Sequence, residues 1–242
     1  MSLVEIIQRA LAGNLVDEDG RPEKIELLPA LTEQELKAFD ATLPVPLPSE
    51  VADLLLYCRG FDGLVEVDFT GETLSFEWES IFPYALPVAS DGLGNFWVID
   101  LQPKSVEWGP IYFACHDAPV ILYQSATLAR FLSELFLIFT PPFRSEVDDV
   151  HEDRLFDVWN KNPGVLSFAE CRDSSDAALK GFASQLDESF QIIDLRGAVA
   201  GQGFSWGRYG AKTVVKRFGS LPIFAYQMRR SFFQRHFRRD KA

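Results

Sequence analysis

The sequence predicts an α+β protein, an antiparallel sheet with helices packed on one side, followed by a second, smaller α+β unit. Three observations carry this. Apolar residues recur at helical spacing before residue 60 and again over 126–139, while the stretch between them favours the period of two that strands show. Glycine and proline turn signals divide that middle stretch into short strands with no helix between them, the pattern of a meander. The double proline Pro141-Pro142 then ends the last helix, and Glu146, Asp148 and Asp149 come after it. We read 141–149 as a solvated linker between a unit at 1–140 and another at 150–242.

Residues 2–12 form an amphipathic helix with Leu3, Ile6, Ile7 and Ala10 on one face. The loop 17–22 imitates a calcium loop, but its first ligand position would be Leu15, which has no side-chain oxygen. Thr32-Glu33-Gln34-Glu35 is a capping box for a helix burying Leu36 and Phe39. Ser49 caps the next helix, with Val51, Leu54, Leu55 and Cys58 inward and a stop at Gly60. Residues 73–79 alternate, so Leu74, Phe76 and Trp78 cover a core while Glu77 and Glu79 face water. Further strands are expected at 84–89, 96–101, 111–115 and 120–123. The turn Asp91-Gly92-Leu93-Gly94-Asn95 joins the first two. Ser125 caps a helix burying Leu128, Phe131, Leu132, Leu135 and Phe139.

In the second unit, 152–159 is helical with Leu155, Phe156 and Trp159 on one face. Ser174-Ser175-Asp176 caps a helix burying Leu179, Phe182 and Leu186. Strands are expected at 165–168, 190–195, 213–218 and 221–226, then a basic helix at 229–239 carrying Phe232, Phe233 and Phe237.

With 242 residues, 47% apolar and 24% charged, the chain is long enough for a substantial core and is not a disordered protein. Cys58, Cys115 and Cys171 are odd in number and form no CxxC, which argues against a disulfide framework or a zinc knuckle and fits a reducing cytosol. The N-terminus has Glu5 inside its first apolar run and does not read as a signal peptide. The longest apolar stretch, 126–139, is interrupted by Arg130 and Glu134 and is too short for a bilayer of about 30 Å. A cytoplasmic location is expected, with no membrane partner.

The net charge of −12 is unevenly spread: residues 1–195 hold 12 basic against 34 acidic side chains, and 196–242 hold 11 against one. The basic stretch could bind nucleic acid. Its charges, however, sit between strand-like apolar residues, so the expectation is that it packs on, or faces, the acidic half. The terminal phenylalanines have helical core spacing, which leaves the arginines of 229–239 a solvated basic face.

The helix opened by Leu47-Pro48-Ser49-Glu50 and closed by Arg59-Gly60-Phe61-Asp62-Gly63, the run from Leu86 through Asp91-Gly92-Leu93-Gly94-Asn95 to Leu101, the stretch 106–113, His116-Asp117 and the closing helix with Phe131-Leu132 stand in an informative order. Together they resemble the SUKH superfamily, which includes bacterial toxin-immunity proteins and fungal cell-wall-assembly regulators. The resemblance covers about residues 25–139. Two departures stand out: Cys58-Arg59-Gly60 replaces the family's usual Asn-Gly helix end, and the C-terminal hundred or so residues exceed a single domain of this kind. The resemblance implies an α+β fold and a non-enzymatic role, binding a protein partner, most often a polymorphic toxin, and blocking it.

Chemistry has few openings. Cys115-His116-Asp117 holds nucleophile, base and orienter in line, but neighbours on a strand point to opposite faces, so Cys115 reads as core and His116-Asp117 as a strand-exit turn. His116, His151 and His236 are far apart in sequence and suggest no metal cluster. Gly201-x-Gly203 lacks a third glycine and precedes a strand-like segment, so it is weak as a nucleotide loop. No catalytic residue, metal or cofactor is expected. Phe204, Trp206, Arg208 and Tyr209 in that long loop are either an anchor surface or rings tucked under the neighbouring sheet. The function that the resemblance implies is that of an immunity-type protein that neutralises a toxin; the acidity of the N-terminal unit suggests a basic one, such as a nuclease, met through Glu66, Asp68, Glu72, Glu77, Glu79, Asp91 and Asn95, with Trp206, Arg208 and Tyr209 as further contacts. The alternatives are a regulatory scaffold for cellular partners and, last, an enzyme or nucleic-acid binder in the C-terminal unit.

Overall fold

A computed structural model of the chain describes residues 1–63, 65–76, 81–103, 108–207, 210 and 212–228. Helix α1 (Leu3–Ala12) begins where the Ser2 hydroxyl accepts the Glu5 amide and the Glu5 carboxylate accepts the Ser2 amide, satisfying two donors that a helix start leaves open. Thr32 and Glu35 repeat the device for α2 (Glu33–Asp40), as expected, but this short peripheral helix leaves Leu36 and Phe39 only half-buried. Helix α3 (Ser49–Tyr57) buries Val51, Leu54 and Leu55; Pro48 precedes it without a side-chain cap, so Ser49 is its first residue and not its cap. Gly60 does not stop this helix. It opens a strand.

The first sheet has eight antiparallel strands. In spatial order they are β1 (Glu26–Leu27), β2 (Gly60–Asp62), β3 (Glu66–Asp68), β4 (Ala85–Ser90), β5 (Phe96–Asp100), β6 (Ile111–Cys115), β7 (Val120–Ser125) and, much later in the chain, β10 (Gly203–Ser205). Ser125 ends β7, and Thr127 instead caps α4 (Leu128–Leu137) by accepting the Arg130 amide. Residues 73–76 form no strand, and 77–80 lie outside the described residues.

Side chains alternate across this sheet. Trp97, Ile99, Phe113 and Leu122 pack with Leu3, Leu54, Leu55, Phe131 and Leu135 of α1, α3 and α4. Val98, Tyr112, Ile121 and Phe204 form a second core with Ile193, Phe224 and Tyr226. These last three belong to a four-stranded antiparallel sheet ordered β11 (Val215–Arg217), β12 (Ile223–Gln227), β9 (Phe190–Asp194), β8 (Leu166–Ser167). Its other face, through Ile192, Ile223 and Ala225, packs on Cys171 of α7 (Phe168–Arg172) and on Phe182 and Ala183 of α8 (Ala177–Ala183). The layers thus run helix, sheet, sheet, helix. Burial on both faces explains why all five residues of β6 are buried without a polar alternate.

The 141–149 stretch, expected to be a solvated linker, is packed. Ser145 donates to the Glu134 carbonyl at 2.6 Å, the Glu134 carboxylate accepts the Glu146 amide at 2.8 Å, and Val147 and Val150 are fully buried. Helix α5 (Glu146–Asp148) runs into a π-helical turn (Asp149–Arg154) and then α6 (Leu155–Lys161). The wider i→i+5 turn re-phases α6: Leu155 and Val158 face inward, while Phe156, expected inside, is 55% exposed. The expected strand at 165–168 shortens to β8, because Ser167 and Glu170 form a capping box for α7. The basic helix expected at 229–239 lies outside the described residues.

The glycine-rich stretch, expected as a long loop, supplies β10, whose Phe204 and Ser205 are fully buried. A Cβ at Gly203 would sit 1.9 Å from the Ile121 carbonyl oxygen, so only glycine lets β10 approach β7 this closely. Gly203→Val is expected to lower stability by about 2 kcal/mol or more, read as a lower urea midpoint. The charge asymmetry has a direct counterpart between the sheets. Arg217 on β11 makes a bidentate pair with Asp100 on β5 (Nη1–Oδ1 2.9 Å, Nη2–Oδ2 2.6 Å), both side chains at most 6% exposed.

Candidate functional site

The acidic positions picked out by charge and turn placement divide into buried and exposed sets. Asp68 is fully buried. Its carboxylate accepts the Thr70 amide and hydroxyl (2.9 and 2.6 Å) and the Thr73 amide and hydroxyl (3.2 and 3.0 Å), with Arg59 3.7 Å away. It knots the chain after β3 and presents nothing to a partner. A carboxylate surrounded by four short-range donors is an internal acceptor.

Asp91 and Asn95 are likewise internal. Asp91 Oδ1 accepts the Leu93 and Asn95 amides at 2.8 and 3.2 Å, and Oδ2 accepts Asn95 Nδ2 at 2.6 Å and lies 3.2 Å from His151 Nε2. Asn95 Oδ1 accepts the His116 amide at 2.9 Å. Gly92 and Gly94 take positive φ, as the turn requires. Burial alone would raise the Asp91 carboxyl, but His151, Asn95 and the two turn amides outweigh it and hold it down at about 2.

Glu66 and Glu72 are exposed as expected; Glu72 pairs with Arg59 at 3.0 Å. Glu66 belongs to an arrangement invisible in the linear sequence. Glu26 stands opposite Asp62 in the β1–β2 ladder, and the β2–β3 register of Phe61 with Val67 continues to place Asp62 opposite Glu66. The three carboxylates therefore form one row across three strands. Phe61 and Val67 belong to the core under the helices, so alternation puts this row on the other face, and all three positions are exposed. The next strands continue the row with Ser90 and Phe96, and Phe96 packs into the core between the sheets. The carboxylates thus begin where that cover ends. Among the described residues none of them is in an ion pair. Like charges directly opposite one another weaken strand pairing, so this row opposes folding unless a cation meets it.

Of the remaining positions, Trp206 is half-buried and packs against the core between the sheets, closer to the tucked-ring alternative than to an exposed anchor. Glu77, Glu79, Arg208 and Tyr209 lie outside the described residues. The Cys115-His116-Asp117 run separates as alternation demands: Cys115 is buried in the helix-facing core, its thiol pushed up by burial, while the His116 side chain is 65% exposed, with Nδ1 3.1 Å from Asp117. A thiol so placed is a poor nucleophile. A cleft of about 410 Å³ opens at the seam near β9 and β10, but its ionisable side chains are already paired, Arg154 with Asp149, Asp157 with Lys161 and Asp194 with Arg196. Among the described residues no three His, Cys, Asp or Glu side chains gather as a metal-binding group, and no helix is long and apolar enough to cross a membrane.

The carboxylate row thus lies on an antiparallel sheet whose opposite face is covered by helices. Residues 30–134 match the model of the SMI1 / KNR4 family (SUKH-1), so this part of the chain is similar to that family, as its motifs indicated. No curated protein and no solved structure matches the chain.

Proposed function

We propose that this chain is a cytoplasmic, non-enzymatic immunity-type protein that binds and neutralises a basic toxin, such as a nuclease. The exposed Glu26–Asp62–Glu66 row, set within or beside the SUKH-1 stretch, is the observation that carries the reading. Carboxylates aligned on one sheet face steer a cationic partner and give register on contact. Three buried free cysteines suit a reducing compartment. The C-terminal half, in this reading, braces the sheet so that the row is presented on a rigid support.

Co-expression with the protein encoded beside it tests the proposal. Protection of growth together with a stable complex is the expected result. Failure to protect against, or bind, any neighbouring toxin overturns it, and capture of cellular partners without protection favours a regulatory scaffold.

A further inference from the structure

His151 joins parts of the molecule that are far apart in sequence. It lies on the π-helical turn that opens the C-terminal half, and its ring packs 5.8 Å from that of Trp97 on β5 and 5.3 Å from that of Phe113 on β6. Nε2 is 3.2 Å from Asp91 in the β4–β5 turn, 60 positions earlier, and Nδ1 is 2.9 Å from Glu152. The contact therefore links the turn, with its exposed Leu93, to the segment leading into the second sheet.

We propose that His151 is a pH-operated clasp between the two halves: its imidazolium holds the β4–β5 turn against the π-helical turn, and its neutral form releases it. Among the described residues, the charged groups that act on it are acids. Asp91 comes from the β4–β5 turn, Glu152 and Asp148 from its own segment, and Glu18 of the N-terminal loop and Asp153 act on Asp148 in turn. Trp97 and Phe113 close the site with uncharged rings. Once the imidazolium loses its proton, the cation that organises this cluster is gone and the carboxylates repel. Burial and the neighbouring acids also push the Asp148 carboxyl up.

Two shifts set the pH window. The hydrogen bond to Asp91 raises the His151 pKa above its ordinary 6.5, so the clasp's contribution is complete below that value and is lost as pH rises through the folded value. Asp91 is held down at about 2, so its contribution is complete above its ordinary 3.8 and is lost as pH falls toward 2. The clasp is closed between these limits.

The test uses the full chain. Solvent exchange of the Leu93 and Asn95 amides, both bonded to Asp91, is measured by NMR at slightly acidic and slightly alkaline pH and expressed as protection factors, in the wild type and in His151→Gln. The loss of one of three histidine resonances in the variant assigns the His151 titration. Wild-type protection is expected to fall with rising pH, by about tenfold for each unit by which the His151 pKa exceeds 6.5. The variant is expected to show low protection at both pH values. A His151 titration at or below 6.5, or wild-type protection equal at both pH values, overturns the proposal. These wild-type measurements decide the matter if the variant does not fold.

Discussion

Arg217→Met is expected to cost about 3–5 kcal/mol of folding stability, the usual effect of breaking a buried ion pair. The Asp100 carboxylate is 2% exposed, and its bidentate partner would vanish while the charge stayed inside. Gln102, which also donates to Asp100, cannot replace a cation. Arg217 does more than neutralise: its guanidinium donates to the Leu221 carbonyl at 3.1 Å and lies over the Phe224 ring, 5.2 Å from its centroid. The pair crosses between the sheets and links positions 117 apart, so its loss loosens the joint between the halves. Urea unfolding followed by far-ultraviolet circular dichroism and by tryptophan fluorescence measures the effect. The double variant Asp100→Leu with Arg217→Met is expected to recover most of the loss, because two apolar side chains leave no buried charge.

Neutralising the row by Glu26→Gln, Asp62→Asn and Glu66→Gln has the largest expected effect on function. These side chains are exposed and unpaired among the described residues, so stability should stay within about 0.5 kcal/mol of wild type or rise slightly as like-charge repulsion is relieved. Protection of growth in the co-expression assay should nevertheless be lost or sharply reduced. Asp68→Asn provides the contrast. It places an amide among four donors and should lower stability by about 2 kcal/mol, with any loss of protection tracking the loss of folded protein.

Much of the first sheet and its helices was legible in the sequence. Ser2 with Glu5 and Thr32 with Glu35 announce helix starts by local bonding, and β6 lies on the residues its apolar run marks. The misses share a cause. Strands β2 and β3 are three residues each, too short for periodicity to register, and 73–76 alternate but serve Asp68 through Thr73. That β10 joins β7 depends on a pairing about eighty positions distant, which Gly203 makes sterically possible but no local pattern reveals.

Of the acidic positions that charge and turn placement single out, Glu66 and Glu72 are exposed, whereas Asp68 and Asp91 sit two residues before Thr70 and Leu93, whose amides they accept. That short-range bonding could have marked them as internal. Glu26 and Asp62 carry no local signal, because a cross-strand row exists only once register is known. The charge imbalance was partly resolved inside the molecule, at Arg217 and Asp100.

The most direct measurement follows from the proposed function: the rate at which the protein associates with a basic toxin against which it protects in the co-expression assay, across increasing salt, comparing wild type with the triple variant of Glu26, Asp62 and Glu66. Wild type is expected to associate fast and with a steep salt dependence, and the variant at a rate at least about tenfold lower with a flattened salt slope. Equal rates and equal salt slopes for the two proteins would contradict a recognition role for the carboxylate row.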